Sequence, residues 1–234
     1  MPAPTDGLRV YYDMETTQGD DLKNLVSATG ATYNGTIKGV RDAAGQVGRA
    51  REFSGSDGTY VQMRSGYDFV TNRATFAVSA WYKADTLAGG KVYVSSATNV
   101  SRLYLYSSSS GRFRVLRGST FADQAGTSAT TGSWQHLVIN FTNRSNCALY
   151  VGGTFVQNLT VGMTPVDSND SINVGNYYGG DLNTFEFDGV VDQFRLYQRD
   201  APLTSTDVAN LFTEVEAAEG GGGRRRAPNF PAVR

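Results

Sequence analysis

The chain has 234 residues, 27 of them glycine, with 12% aromatic residues and a formal net charge of −1, which leaves room for one large β-domain with a sizeable core. The near-zero charge argues against a nucleic-acid binder, no window is long and apolar enough to span a bilayer, and a lone cysteine, Cys147, rules out an intrachain disulfide and reads as a buried free thiol. A lone histidine, His136, rules out a multi-histidine zinc centre.

Leu8, Val10, Tyr12 and Met14 share one face of a first strand. A polar, glycine-rich loop follows to Gly30, then a turn at Asn34-Gly35 and a loop through Gly48. Strands are expected at 51–53 and 60–63, and the unbroken pattern of 75–83 suits a central strand. Strands near 91–95 and 101–106 precede a turn at 107–111 and a strand at 112–117, which closes a hairpin. The run 134–141 turns Leu137, Ile139 and Phe141 inward and His136, Val138 and Asn140 the other way, so His136 reads as a hydrogen-bonded residue on the sheet surface. A hairpin over 148–156 turns at Gly152-Gly153, and a strand at 171–175 leads into a tyrosine-rich loop, 176–184.

The last strand, 185–197, carries an acid among core residues. Strict alternation puts Val190, Asp192, Phe194 and Leu196 on one face and Val191, Gln193, Arg195 and Tyr197 on the other. A carboxylate there must be met by backbone donors, a cation or a basic partner. A short helix follows, with Thr204 and Asp207 forming a capping box and Val208, Leu211 and Phe212 an apolar stripe. The expected organisation is one β-domain over 1–213 and a linker and arm over 214–234. That arm holds four arginines and no acid from Gly220 onward, leaving the body at −5. About a dozen short strands without a sequence repeat predict an all-β, two-sheet antiparallel β-sandwich of the jelly-roll kind, with one short C-terminal helix and an extended arm.

The motifs fall in a familiar order: Gly7-Leu8, Tyr11-Tyr12 and Met14-Glu15; Asn34-Gly35-Thr36; Gly48-Arg49-Ala50 with Phe53-Ser54-Gly55-Ser56-Asp57 and Tyr60-Val61; Phe76-Ala77-Val78-Ser79-Ala80-Trp81-Tyr82-Lys83. Then come Trp134-Gln135-His136, Leu149-Tyr150-Val151-Gly152-Gly153, and Phe187-Asp188-Gly189-Val190-Val191-Asp192-Gln193-Phe194-Arg195-Leu196-Tyr197 with Arg199, Leu203 and Leu211. In this order, over about residues 7–213, the chain resembles the bacterial and viral LamG-like jelly-roll domains of the concanavalin A-like lectin/glucanase superfamily. Gln193 and Gln135 depart from that family's usual second Asp and first His. The resemblance implies the fold and is nearly silent on ligand.

For Asp192 three readings stand side by side. The resemblance implies a structural Ca²⁺ shared with Glu15 and Asp13. The residues alone allow a carboxylate held by backbone N–H groups, or a buried pair with a base such as Arg51. β-Glucan-cleaving relatives carry three acids as E-x-D-x-x-E on one strand; here Glu186-Phe187-Asp188 lacks the third, and no nucleophile–base pair is visible, so no enzyme is expected. Tyr104, Tyr106, Arg112 and Arg114 on adjoining strands, and Tyr177 and Tyr178 in a loop, are candidate ligand residues, because flat rings beside hydrogen-bonding groups suit sugars. The same residues suit a protein interface or a solvated sheet face.

Arg224, Arg225, Arg226 and Phe230 read as an arm that anchors the domain to other subunits; nucleic acid would need only their charge. Asp6, Arg9, Asp13, Glu15, Asp20 and Asp21 interrupt any signal core, and Met1-Pro2-Ala3 reads as a native start. The function expected is a non-catalytic, lectin-like structural and adhesion module of a larger assembly, a phage or virus particle surface, with glycan binding. A carbohydrate-binding module of a bacterial extracellular protein is the alternative.

Overall fold

Short runs of β-branched and aromatic residues, cut by turns, pair into two sheets. The computed structural model describes residues 2–56, 58–63, 75–96, 103–117, 120–161, 171–176 and 185–219. Through these run β1 (Leu8–Tyr12), β2 (Thr17–Gln18), β3 (Asp21–Leu22), β4 (Gly35–Lys38), β5 (Arg41–Ala44), β6 (Arg49–Ser54), β7 (Tyr60–Met63), β8 (Phe76–Ala84) and β9 (Lys91–Ser96). They continue as β10 (Leu103–Ser107), β11 (Phe113–Arg117), β12 (Thr120–Asp123), β13 (Gln135–Phe141), β14 (Asn146–Val151), β15 (Thr154–Thr160), β16 (Ile172–Val174), β17 (Asp188–Gln198) and the helix α1 (Ser205–Glu219). The predicted antiparallel two-sheet sandwich is present. One sheet has the order β15-β14-β13-β8-β17-β6-β5, with β1 also on β17; the other runs β12-β11-β10-β9-β16-β7-β4-β3-β2.

The inner faces close on one core. Tyr12 stacks on Phe194 at 5.8 Å, and Tyr93 meets both Tyr82 and Phe187 at 4.7 and 5.2 Å between ring centroids. Cys147 is buried in this core as a free thiol, as expected. Strand β8 is covered on both sides: Phe76, Val78, Ala80 and Tyr82 face the other sheet, while Trp81 faces α1, stacked on Phe212 at 5.3 Å. That double burial is why its sequence shows no alternation.

Helix α1 is capped as predicted, the Asp207 N–H donating to Thr204 Oγ1 at 3.1 Å and the Thr204 N–H to Asp207 Oδ2 at 2.9 Å. It lays Val208 and Leu211 on Val138, Tyr150, Tyr197 and Leu203, a second apolar cluster on the outer face of the sheet. Burying each aliphatic side chain stabilises by roughly 1.5–3 kcal/mol. The helix runs to Glu219, and Glu214 pairs with buried Arg195 at 3.2 Å, so the boundary expected after 213 falls inside a folded element. His136 is likewise not on an open surface. It is buried beneath α1, with Nε2 2.9 Å from the Ser79 hydroxyl, and burial, seconded by the nearby Arg195 charge, pushes its pKa down to about 3.

Strict alternation fails in β17. Asp192 stands opposite Trp81 and Arg195 opposite Ser79, so two residues, Gln193 and Phe194, share the space facing Ala80. This is a β-bulge, and Gln193 takes the positive φ of 52° that such an insertion demands. The extra residue moves Val191 onto the core face with Phe194 and Leu196, and places Asp192 on the Trp81 side. Asp192 therefore does not share a face with Phe194.

Candidate functional site

Asp192 sits where β17 changes neighbours, from β6 over residues 188–191 to β1 over residues 194–197. The turn between β5 and β6 fills that fork. The Val47 N–H donates to Asp192 Oδ2 at 2.9 Å, the Gln193 N–H to Oδ1 at 2.7 Å, and the Gln46 backbone adds a third donor. A Cβ on Gly45 would lie 2.7 Å from Oδ2, so only glycine lets the turn close on the acid. Glu15, just past β1, covers Gly48 so closely that a Cβ there would lie 2.2 Å from Glu15 Oε1. Burial pushes the Asp192 carboxyl up to about 7, against the pull of the Val47 and Gln193 N–H groups, and the Glu15 charge pushes the same way as burial.

Arg51, the basic partner considered for Asp192, is engaged elsewhere, since it pairs with Asp42. Asp13 turns both oxygens on its own loop, accepting from the N–H groups of Glu15 and Thr16 and from the Thr16 hydroxyl. The groups aimed at Asp192 are thus hydrogen donors, which suit a carboxylate. Among the described residues no group of three or more His, Cys, Asp or Glu side chains gathers as a metal site.

The second site is a cavity of about 340 Å³ on the outer face of the other sheet, at the small end of the roughly 300–1,000 Å³ usual for ligand pockets. Its floor and walls follow from strand alternation. Register sets Tyr106 between Val92 and Arg114, with Asp123 beyond, and in the next rung Leu116 between Tyr104 and Phe121. All of these but Asp123 line the cavity, with Gly89, Gly90 and Phe185 closing its sides.

Tyr106 and Phe121 stand at 83° with centroids 6.0 Å apart, and the Arg114 guanidinium lies 5.2 Å from the first ring and 5.4 Å from the second. Cation–π contacts of this kind hold the three side chains in one arrangement. Arg114 Nε also donates to Asp123, and that bond holds the guanidinium above its usual pKa. Partial burial raises the Tyr106 hydroxyl, against the lowering effect of Arg114.

Of the ligand residues expected from sequence, the structure brings together Tyr104, Tyr106 and Arg114. Tyr104 forms floor rather than rim, being 4% exposed. Arg112 precedes β11, is exposed and does not line the cavity. Tyr177 and Tyr178, and Arg224, Arg225, Arg226 and Phe230 of the arm, lie outside the described residues. Phe121, on the unforeseen strand β12, completes the pocket, and Asp123 on the same strand pairs with its Arg114. Glu186 is 2% exposed, and Asp188 is half-buried at the start of β17.

The family model described as the concanavalin A-like lectin/glucanases superfamily matches residues 54–209. No curated protein matches. Among solved structures, domain 4 of an extracellular GH43 arabinanase from Geobacillus stearothermophilus, in complex with arabinotriose, is similar at 19% identity and a TM-score of 0.66, over 87% of this chain and 97% of that one. The binding domain of Paraclostridial mosquitocidal protein 1 matches at 19% identity and 0.68, over 89% of this chain and 52% of that one. A Trypanosoma rangeli sialidase in complex with sialic acid matches at 15% identity and 0.69, over 92% of this chain and 34% of that one. The chain thus spans nearly all of the first relative, about half of the second and a third of the last. At these identities the likeness is one of fold.

Proposed function

The chain belongs to the concanavalin A-like lectin/glucanase superfamily, and from that premise we propose that it is a non-catalytic, lectin-like adhesion module of a larger assembly, taking a glycan into the pocket of Tyr106, Arg114 and Phe121. One observation carries the reading. Two rings at right angles, with a guanidinium near both, border a cavity that is apolar below and hydrogen-bonding at its edge. Sugars present the matching surfaces, a patch of C–H groups and a fringe of hydroxyls. The absence of catalysis is supported by the burial of Glu186, which keeps it from meeting a substrate together with Asp188.

The test is calorimetric titration of the whole chain with a panel of oligosaccharides. Binding should fall at least tenfold in Tyr106→Ala and Phe121→Ala, and Glu186→Gln and Asp188→Asn should leave it unchanged. A panel without any binder overturns the glycan reading, and hydrolysis of any member overturns the non-catalytic one.

The assembly we favour is a phage or virus particle, with the arginine-bearing arm as anchor. The unpaired, buried Cys147 and the charge contrast between arm and body support this. A carbohydrate-binding module of a bacterial extracellular protein is the second reading, favoured by the match to nearly the whole of the arabinanase domain. A chain ending at Glu219 should fail to join particles under the first reading and retain every activity under the second.

A further inference from the structure

We propose that the Arg114–Asp123 pair makes this pocket selective for neutral sugars bearing adjacent hydroxyl groups, an inference that rests on the glycan reading above. Arg114 is the single charged residue among the described lining residues. An unpaired guanidinium beside aromatic rings would draw acidic sugars, since its fork matches a carboxylate in two places. Here the charge is already balanced, because Nε donates to the Asp123 carboxylate across the β11–β12 pairing. The pair leaves the rim with no net charge.

Both side chains nevertheless reach water, at 32% exposure for Arg114 and 40% for Asp123. They therefore offer a donor and an acceptor side by side. One hydroxyl of a vicinal pair can accept from the guanidinium while its neighbour donates to Asp123, as a carboxylate ligand cannot. The rings of Tyr106 and Phe121 face the remaining, apolar side of such a sugar. The modest volume suits one or two sugar units at a chain end more than a long polymer.

Calorimetric titration with matched probes tests this, using lactose and arabinotriose as neutral ligands and 3′-sialyllactose and tri-galacturonic acid as anionic ones. The wild-type chain should prefer a neutral probe at least tenfold, with an affinity that changes less than about twofold between roughly 50 and 500 mM salt by the screening expected of an uncharged ligand. Asp123→Asn should weaken neutral binding and strengthen the anionic probes, narrowing or inverting the ratio. Asp123 lies exposed on an edge strand, so the variant should fold, and a melting curve checks this. Wild-type preference for an anionic probe, or a ratio unmoved by Asp123→Asn, overturns the inference while leaving glycan binding intact; binding of no probe in this set or in the wider panel overturns both.

Discussion

Asp192 accepts its hydrogen bond from the Val47 N–H across 145 residues of sequence, at 2.9 Å. Together with Glu15 over Gly48, this joins the last strand, the β5–β6 turn and the end of the first strand in one place. One carboxyl thus ties the last strand to a turn from a distant part of the chain. The arrangement explains why a buried acid sits where an apolar residue would cost nothing to bury.

Two buried groups give the domain opposing pH dependences. The Asp192 pKa, raised in the fold to about 7, makes a contribution that is complete below the unfolded value near 4 and is lost as pH rises through 7. The His136 pKa, lowered to about 3, makes one that is complete above about 6.5 and is lost as pH falls towards 3. Between about pH 4 and 6.5 they largely cancel. Urea unfolding of Asp192→Asn should therefore show stability rising with pH over that window relative to wild type, and His136→Asn should show the reverse. The slope expected of a group protonated in one state and not the other is about 1.4 kcal/mol for every step of one in pH. Variant-to-wild-type differences that stay level across the window would refute the assignment.

Calcium gives a separate test of the same junction. Backbone N–H groups aimed at Asp192 meet its carboxylate without a cation, so melting temperatures in EDTA and in excess Ca²⁺ should agree. A Ca²⁺-dependent rise that disappears in Asp192→Asn would instead establish a metal held with Glu15.

The Arg195–Glu214 pair predicts where the chain can be cut. Arg195 is buried, its guanidinium lying 4.5 Å from the Tyr11 ring centroid, and Glu214 reaches it from α1. Removing one partner of a buried pair leaves an uncompensated charge, and Glu214→Ala should cost on the order of 3 kcal/mol. Ending the chain at Glu219 should leave the melting temperature where it was, whereas ending it at Phe212 should lower it sharply. Equal melting of the two truncations would mean that α1 contributes nothing beyond Phe212.

Most of the fold is legible in the sequence because alternation, turn residues and the capping box are local signals. The hairpin of β10 and β11 and the cap at Thr204 fall where those signals put them. Two features of the candidate sites escape for the same reason that hides the short strands β2, β3 and β5 in the loops expected before Gly48: they depend on very few residues. The bulge at Gln193 is one inserted position, invisible to a count in twos, and it reassigns Asp192 to the opposite face. Strand β12 is four residues long, too short for a pattern to establish itself. Its pairing with β11 sets Phe121 opposite Leu116 and Asp123 opposite Arg114.

On the proposed glycan reading, the pocket separates residues that hold the sheet from residues that would meet a ligand. Tyr104 is 4% exposed beneath the cavity, and truncating it to alanine removes a buried ring, at a cost of roughly 3–5 kcal/mol by analogy with other large aromatics. Phe121 is 52% exposed on an edge strand, and its main contacts are the Tyr106 ring and the Arg114 guanidinium, so Phe121→Ala should cost only about 1 kcal/mol. Its effect on a bound sugar should be larger, because its ring is one of the two walls. Thermal melting beside glycan titration checks the contrast: Tyr104→Ala should lower the melting temperature, whereas Phe121→Ala should melt close to the wild type yet bind at least tenfold more weakly. If Phe121→Ala instead unfolds early and retains its affinity, the ring is packing and not a wall, and the ligand must be sought on another face.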